Sequence, residues 1–493
     1  MVISLMCVNF FCQNQIIDNL IDRFASAKNL KHFMTLIKSI SGIRGTINSE
    51  NGDGLTPAII SLYTRAFAQL LGKGNKPKKI VVGRDGRMSG QHVSDIVTST
   101  LMEMGFTIIN LGLSTTPTVE LAVTEEKAVG GIIISASHNP KNWNALKLLN
   151  SSGEFISAEE GQKLQKIADQ LEGSQIIKVS GGTIINNNSY IDKHIEQVLS
   201  LSAVKANLIA EKHFKIVVDA INSTGALIIP QLLNKLGVQD VLVINGAVDG
   251  QFAHDPEPLA ENLDELSQQV TFHNADLGIA VDPDVDRLAF VCEDGTMFGE
   301  EYTLVAVSDY LLLHEKGSTV SNLSSTRALH DITEAAGCDY YESAVGEVNV
   351  VKKMKEVKAL IGGEGNGGVI YPALHYGRDA VVGIALFLTH LAESTKSALS
   401  LKASYPEYCI SKNKVKLEPE VNLDDLLKNI AKKYAHHHQV KIDGLKIYFD
   451  NDWVHLRKSN TEPIIRIYAE SSMETTADNM AAKLKDDIKE LLS

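Results

Sequence analysis

The sequence predicts an α/β protein in which three related α/β domains precede a smaller C-terminal α+β domain. A strand–loop–helix pattern that occurs three times predicts the first three domains, and closely spaced strands near the C-terminus predict the fourth. The length of 493 residues agrees, since a domain averages about 150 residues. We expect domains at residues 34–188, 189–296, 297–408 and 409–493.

The repeated unit begins with an apolar strand, continues through a polar loop into an amphipathic helix that ends at a glycine, and closes with a second strand. Gly105, Gly237 and Gly337 follow the helices, at the position where a left-handed backbone favours glycine. Strands that alternate with helices of this length indicate parallel strands covered on both faces. The three copies occupy residues 79–112, 215–245 and 319–344.

The C-terminal segment has a different pattern. Its short apolar runs have hairpin-like spacing and are flanked by helical stretches, which is an α+β order. The predicted strands are 415–417, 445–449, 453–457 and 464–469, and the predicted helices are 423–434 and 474–492.

Composition excludes several classes of protein. Hydrophobic residues make up 44% and charged residues 22%, as in ordered globular proteins. The net charge of -13 argues against nucleic acid and anionic membranes as partners, so any anionic ligand needs a local cluster of cations. The 5 cysteines contain no CxxC pair, which indicates reduced thiols and a cytoplasmic location.

Residues 1–33 have a less regular pattern than the rest of the chain. The apolar start has no basic residue before Arg23, so the charged region of a secretory signal is missing. Met34 begins the regular stretch MTLIKSISGIRGT. We therefore expect Met34 to be the physiological start and residues 1–33 to be a non-native or disordered extension.

The loop Ser135–Lys147, SASHNPKNWNALK, follows an apolar strand at 131–134. Open α/β sheets present ligand-binding groups at the carboxyl ends of strands. Ser137 is therefore a candidate nucleophile, and Lys147 a candidate for proton transfer or for pairing with an anion. The alternative is an Asn/Pro-rich turn in which Ser137 and His138 only cap the backbone. A G-x-S-x-G motif is missing, which disfavours an acyl-transfer hydrolase.

The loop Asp282–Arg287, DPDVDR, lies between two apolar segments. Asp282, Asp284 and Asp286 would repel one another in so short a loop unless a cation lay among them. Carboxylate oxygens without His or Cys close by in sequence favour Mg²⁺ over zinc. A calcium loop of the EF-hand type is disfavoured, because Arg287 stands where that loop requires glycine. Turn caps without a metal are the remaining alternative.

The loop Gly362–Val369, GGEGNGGV, contains the spacing G-x-G-x-x-G. An apolar run follows it instead of the helix that a dinucleotide site requires. We interpret the glycines as allowing a ligand to approach the backbone closely. Glu364 and Asn366 then offer hydrogen bonds suited to sugar hydroxyls or to an amine. A tight turn without a ligand is the alternative.

The loop Arg457–Arg466, RKSNTEPIIR, combines cations, hydroxyls and backbone N–H groups in one turn, as binding of a phosphate dianion requires. A planar guanidinium suits bidentate contacts to phosphate better than an ammonium group does. A Ser/Thr turn with solvated arginines is the alternative. The candidate phosphate ligands are Arg457, Ser459, Asn460, Thr461 and Arg466.

Together the loops indicate phosphoryl transfer to a polyhydroxy ligand, because a nucleophile, a hard-metal site, a polar loop and a phosphate-binding loop lie in four different domains. Over residues 34–493 the set resembles the α-D-phosphohexomutase superfamily of phosphoglucomutases, phosphomannomutases and phosphoglucosamine mutases. All four loops occur in the family order. The family fold has four domains with mixed sheets around a central cleft, in agreement with the repeats.

The resemblance implies the roles at the reacting end of the site. Ser137 would be the phosphoserine and, with the three aspartates of the DPDVDR loop, a ligand of Mg²⁺. Arg287 would neighbour the reacting phosphoryl group. Arg44, in the segment SGIRGT, and Lys147 would assist proton transfer, with His138 beside the nucleophile.

The resemblance also implies how the substrate binds and reacts. Glu364 and Asn366 would contact sugar hydroxyls, and the Arg457–Arg466 loop would bind the phosphate that is not reacting. Phosphorylated Ser137 would donate its phosphoryl group to a hexose or hexosamine phosphate. The resulting sugar bisphosphate would turn over in the cleft and return its other phosphoryl group, and added bisphosphate would act as an activator.

The choice of sugar depends on details of the loops. Asn366, Gly368 and Ala145 depart from common family residues, and SNTEP is closer to glucose and mannose mutases. GGEGNGGVIYP, the segment His375–Ala380 and SISGIRGT resemble the phosphoglucosamine mutase branch instead. We expect interconversion of glucosamine 6-phosphate and glucosamine 1-phosphate. Glucose or mannose phosphate is the alternative, and a catalytically silent sugar-phosphate-binding regulator is a second alternative.

A chain that begins at Met34 is expected to keep full activity and an unchanged thermal unfolding midpoint, because residues 1–33 are interpreted as an extension outside the domains. Steady-state kinetics and thermal unfolding of the two chains, side by side, measure this. Failure of the shorter chain to fold would contradict it.

Overall fold

Four β-sheets, one after another along the chain, form the framework of the computed structural model. The predicted α/β architecture is confirmed, with three mixed sheets followed by an antiparallel one. The proposed extension, residues 1–33, lies outside the described residues. The structure describes residues 36–39, 42–47, 53–72, 78–174, 181–416, 421–458 and 464–492.

The first sheet has seven strands in the described part of the chain. Its strands are β1 Ile37–Ser39, β2 Gly42–Thr46, β3 Lys79–Arg84, β4 Thr107–Leu113, β5 Gly130–Ile134, β6 Trp143–Leu149 and β7 Thr183–Asn186. Its helices are α1 Pro57–Leu71, α2 Gly90–Glu103, α3 Thr116–Glu125 and α4 Ala158–Leu171. The order is β1-β2-β6-β5-β3-β4-β7, in which β5, β3, β4 and β7 are parallel and β6 runs antiparallel to β5.

The second sheet has the order β11-β10-β8-β9, with β11 antiparallel to β10 and the others parallel. The strands are β8 Lys215–Asp219, β9 Asp240–Ile244, β10 Leu277–Val281 and β11 Leu288–Cys292. The helices are α5 Tyr190–Ser200, α6 Ala206–Lys212, α7 Gly225–Lys235 and α8 Asp264–His273.

The third sheet repeats this arrangement, in the order β13-β12-β14-β15 with β15 antiparallel to β14. The strands are β12 Thr319–Asn322, β13 Tyr340–Ser343, β14 Ile361–Glu364 and β15 Gly368–Ile370. The helices are α9 Glu300–His314, α10 Ala328–Ala335, α11 Glu347–Val357, α12 Ala380–Ser394 and α13 Ala398–Lys402.

The fourth sheet is antiparallel, in the order β16-β20-β19-β18-β17, as expected for a smaller α+β domain. The strands are β16 Cys409–Lys416, β17 Gln439–Val440, β18 Leu445–Phe449, β19 Asp452–Lys458 and β20 Ile464–Ser471. The helices are α14 Leu423–Lys433 and α15 Glu474–Leu492.

The predicted threefold repeat is confirmed. Gly105, Gly237 and Gly337 follow the helices with positive φ angles of 81°, 88° and 70°, a conformation that a Cβ atom disfavours. In each repeat, a parallel strand is followed by an antiparallel neighbour, namely β5–β6, β10–β11 and β14–β15. The loops that join these pairs are the three loops with candidate functional residues, so they occupy equivalent positions in the three sheets.

The apolar core is continuous between the second and third domains. The ring of Phe290 on β11 stacks on that of Phe387 on α12, with centroids 3.9 Å apart. Both side chains are fully buried in one cluster that extends from Ile195 to Tyr405. This shared core holds the two domains in a defined relative position.

The described part of the chain contains no helix that is long and apolar enough to cross a membrane. Cys292, Cys338 and Cys409 carry free thiols, in agreement with the expectation from their spacing.

Candidate active site

All four domains contribute residues to one cleft of about 1160 Å³. Ser137 reaches it from the β5–β6 loop, Arg287 from the β10–β11 loop and Glu364 from the end of β14. Arg457 and Arg466 line it from the fourth sheet. The structure therefore brings together residues from the four loops that the sequence singles out.

Ser137 has a strained backbone and a well-defined side-chain partner. Its φ angle is 48°, in the left-handed region that a non-glycine residue occupies at an energetic cost. Its N–H donates to the Ser135 hydroxyl at 2.9 Å. The Ser137 hydroxyl donates to Oδ2 of Asp282 at 2.6 Å, so the candidate nucleophile lies directly against the acidic loop of the second domain.

Asp282, Asp284 and Asp286 form a compact buried cluster, with one carboxylate oxygen of each within 4.8 Å of the others. Burial above all, and then Asp286 and Asp284, raises the pKa of Asp282 well above its usual value. Oδ1 of Asp284 and Oδ1 of Asp286 are buried without a hydrogen-bond partner among the described residues. Unpartnered carboxylate oxygens in a negative cluster fit the ligand set of a hard divalent cation.

Lys147 on β6 pairs with this cluster across the domain boundary. Its Nζ lies 2.5 Å from Oδ2 of Asp284 and 3.1 Å from Oδ2 of Asp286. Burial alone would lower the pKa of Lys147, but the two aspartates outweigh it and raise the pKa above its usual value. Lys147 is therefore a charged ammonium group held at the acidic loop.

His138, Arg44 and Arg287 line the same end of the cleft. Nδ1 of His138 lies 3.4 Å from the Ser137 hydroxyl oxygen. Burial, followed by the charges of Arg287 and Arg44, holds the pKa of His138 well below its usual value, so the imidazole is neutral at pH 7. Arg287 donates to Oε1 of Glu257 at 2.5 Å.

In the loop Gly362–Val369, called the sugar loop below, the Glu364 carboxylate already accepts hydrogen bonds from other parts of the protein. Oε1 of Glu364 accepts from Asn322 Nδ2 at 2.8 Å and from the N–H of Gly346 at 2.9 Å. Asn366 lines the cleft beside it. Strand β15 begins at Gly368, which agrees with the expectation that no dinucleotide-binding helix follows these glycines.

The cations of the phosphate loop come from two paired strands. Arg457 on β19 lies opposite Arg466 on β20 in the register of the sheet, and both line the cleft. Lys412 on β16 and Tyr468 on β20 line it as well. Ser459, Asn460 and Thr461 lie outside the described residues.

Four protein-family models, one for each domain of phosphoglucomutase/phosphomannomutase, match the chain in order. The α/β/α domain I matches residues 36–174, domain II 189–295, domain III 299–408 and the C-terminal domain 414–487. The chain belongs to the phosphoglucomutase/phosphomannomutase family. As a member of this family of phosphohexomutases it is classed as an isomerase.

Relatives of this phosphohexomutase match along nearly the whole chain. A phosphoglucomutase/phosphomannomutase of Thermococcus kodakarensis is 34% identical and covers 88% of this chain and 94% of its own. A phosphoglucosamine/phosphogalactosamine mutase of Sulfurisphaera tokodaii is 32% identical, covering 90% and 97%. The crystal structure of a family protein from Burkholderia thailandensis superposes with a TM-score of 0.78 at 23% identity, covering 93% and 97%, and shows the same fold.

Arg378 joins the loop Asp282–Arg287, called the metal loop below, to the sugar loop. Sequence reasoning missed it. Its guanidinium donates to Oδ2 of Asp286 at 2.8 Å, to Oε2 of Glu364 at 3.0 Å and to Oε2 of Glu347 at 3.0 Å. The only signal in the sequence is an Arg-Asp pair directly before the apolar helix α12, which does not reveal the distant carboxylates.

Arg87 holds the loop that contains the candidate nucleophile, and sequence reasoning missed it as well. It is 1% exposed, and its Nε donates to Oδ2 of Asp85 at 3.1 Å. The two terminal nitrogens of its guanidinium group donate to backbone carbonyl oxygens of the Ser137 loop. These oxygens belong to Ser137, Asn139, Pro140 and Trp143, at 2.5, 2.5, 2.7 and 3.0 Å. One side chain therefore sets the path of this loop.

Arg87→Met is expected to lower kcat by roughly 100-fold with little change in KM, because a small displacement of a catalytic group costs about that much. Arg84→Met is the matched control, since the Arg84 side chain contacts Gln91 and the carbonyl group of Asp85 but not the Ser137 loop. Kinetics of both variants, with circular dichroism to verify folding, measure the difference. A folded Arg87→Met enzyme with the same kcat as the Arg84→Met control would contradict this role.

Proposed function

We propose that this phosphohexomutase interconverts glucosamine 6-phosphate and glucosamine 1-phosphate through a phosphoserine and a sugar bisphosphate. The observation that carries the proposal is the 2.6 Å hydrogen bond between the Ser137 hydroxyl and Asp282, within a buried acidic cluster. Arg457 and Arg466 line the same cleft, where they suit the second phosphate of the sugar. We also expect a cytoplasmic location and a sugar bisphosphate as activator.

The residues present fit Mg²⁺ as the cofactor. Asp282, Asp284 and Asp286 would hold the ion together with an oxygen of Ser137, and the unpartnered Oδ1 atoms of Asp284 and Asp286 are the observation that supports this. When bound, the ion supplies positive charge that lowers the cost of bringing an anionic substrate to a phosphoserine.

Phosphoryl transfer requires a proton acceptor at the attacking hydroxyl and a proton donor at the leaving oxygen. The sugar hydroxyl oxygen attacks phosphorus, and the bond between phosphorus and Oγ of Ser137 breaks. We assign this proton transfer to Lys147 and His138, which line the cleft at the nucleophile, with Nδ1 of His138 3.4 Å from Oγ of Ser137. One proton passes from the sugar hydroxyl to these groups, and one passes from them to the leaving serine oxygen. The roles reverse when the turned bisphosphate returns its other phosphoryl group to Ser137.

Arg44 and Arg287 line the cleft near the nucleophile. A guanidinium cation at each of these positions stabilises the negative charge of the phosphoryl group in transfer. We therefore assign them to charge stabilisation around the transferring group, and Arg44 also to support of proton transfer by Lys147.

The names of two relatives support two candidate sugars. The Sulfurisphaera tokodaii relative is named for amino sugar phosphates and is 32% identical, which favours glucosamine phosphate. The Thermococcus kodakarensis relative, 34% identical, is named for glucose and mannose phosphates. Glucose or mannose phosphate is therefore the second candidate.

Lys147→Ala is expected to slow turnover by about 10²–10⁴-fold, the usual contribution of a general acid. Lys141→Ala removes an exposed lysine from the same loop and serves as the matched control. Steady-state kinetics at saturating Mg²⁺ compare the two. A loss of less than about tenfold in Lys147→Ala would remove the acid–base role.

A comparison of glucosamine, glucose and mannose 6-phosphates, each with Mg²⁺ and bisphosphate activator, tests the proposed substrate. We expect the highest kcat/KM for glucosamine 6-phosphate and a phosphorylated peptide that contains Ser137. Preference for a neutral sugar would overturn the choice of substrate. No turnover, together with an unphosphorylated Ser137 peptide, would instead identify a regulator that binds sugar phosphates.

A further inference from the structure

Glu301 is a carboxylate in the cleft to which neither the sequence analysis nor the mechanism above gives a role. It lies in the first turn of α9 and lines the cleft, with 13% of its side chain exposed. Its Oε2 accepts from the N–H of Thr326 at 3.0 Å. Its Oε1 lies 3.8 Å from Nζ of Lys412, beyond hydrogen-bond distance.

The Glu301 carboxylate lies against the sugar loop. A Cβ atom at Gly365 would overlap the carboxylate of Glu301, so only glycine permits this approach. Gly365 separates Glu364 from Asn366, the two residues proposed to contact the sugar. The Glu301 carboxylate is therefore positioned beside the ring-binding part of the cleft and not at the metal loop.

The charges around Glu301 are incompletely balanced. Glu300 and Glu301 share the ammonium group of Lys412, which lies 3.2 Å from Oε1 of Glu300. Burial above all raises the pKa of Glu301 to about 8, with Lys412 opposing the shift and Glu300 adding to it. A buried carboxylate with partial pairing gains stability when a further cation comes within contact distance.

The other carboxylates of the cleft already have close cationic or multiple partners. Glu257 pairs with Arg287 at 2.5 Å, and Glu347 pairs with Arg378 at 3.0 Å. Glu364 accepts from Arg378 in addition to its two neutral donors. Among the glutamates that the structure places along the cleft, Glu301 is thus the one with the weakest cationic pairing.

We propose that Glu301 binds the ammonium group of an amino sugar phosphate and thereby sets the preference of the enzyme for amino sugars over neutral ones. The inference rests on the proposed function, because it requires an amino sugar phosphate in the cleft. An ammonium donor favours the ionised form of this buried carboxyl group and binds it through a charge-assisted hydrogen bond, whereas the hydroxyl of a neutral sugar brings no positive charge to it.

Glu301→Gln tests this, because glutamine keeps the shape and the acceptor for Thr326 but loses the charge. We expect the ratio of kcat/KM for glucosamine 6-phosphate to that for glucose 6-phosphate to fall by roughly 10- to 100-fold, the value of one charge-assisted hydrogen bond. Glu300→Gln is the matched control: it removes the same charge one residue earlier from a carboxylate that shares Lys412 but does not line the cleft. It should leave the ratio unchanged.

The outcomes separate this inference from the proposed function. A wild-type enzyme that prefers glucose phosphate would overturn the proposed substrate and, with it, the role of Glu301. A wild-type enzyme that prefers glucosamine phosphate, with the same preference in Glu301→Gln, would overturn the role of Glu301 alone. An equal fall of the ratio in Glu300→Gln would also overturn it, because the effect would then arise from Lys412.

Folding is verified by circular dichroism and thermal unfolding. Should Glu301→Gln fail to fold, Glu301→Asp replaces it, since aspartate keeps the charge but withdraws it from the cleft by one methylene group. We expect a smaller fall of the same ratio in that variant. An unchanged ratio in folded Glu301→Asp would count against the proposal.

Discussion

Burial of three carboxylates in one short loop is the constraint on which the rest of the site depends. Asp282, Asp284 and Asp286 are fully buried, and removing carboxylates from water is costly unless cations compensate them. Within the second domain, Arg287 of the same loop compensates part of this charge, and two further cations come from other domains. Lys147 comes from the first sheet and Arg378 from the segment after the third. These ion pairs offset the cost of burying the three carboxylates, and they also connect three domains around the cluster.

Repetition of one topology explains why the functional loops meet. In each of the first three sheets, candidate functional residues lie in or next to the loop between a parallel strand and its antiparallel neighbour. Such loops lie at the carboxyl ends of parallel strands, where open α/β sheets bind ligands. The shared core of the second and third domains, with Phe290 stacked on Phe387, joins the two sheets that bear two of these loops. Arg87 performs the corresponding task within the first domain by holding the Ser137 loop.

Much of the fold and the chemical core of the site could be predicted from the sequence. Repeating strand–helix units with a glycine after each helix are local patterns, and so is the crowding of three aspartates in six residues. Arg378, Arg87 and Glu301 could not be predicted in this way. Arg378 lies 92 residues from Asp286, and Arg87 lies 50 residues from Ser137. Nothing in the neighbouring residues of either arginine indicates its distant partner.

The sequence by itself determined the repeated strand–helix units, the candidate nucleophile Ser137 and the acidic loop, because each depends on residues close together along the chain. The tertiary structure decided which cation faces which carboxylate. It placed Lys147 against Asp284, bonded Glu364 to Arg378 and left Glu301 with an incomplete pair beside Gly365. These pairings follow from how the sheets are positioned relative to one another, and electrostatic energy depends on distances across the fold and not on separation in sequence.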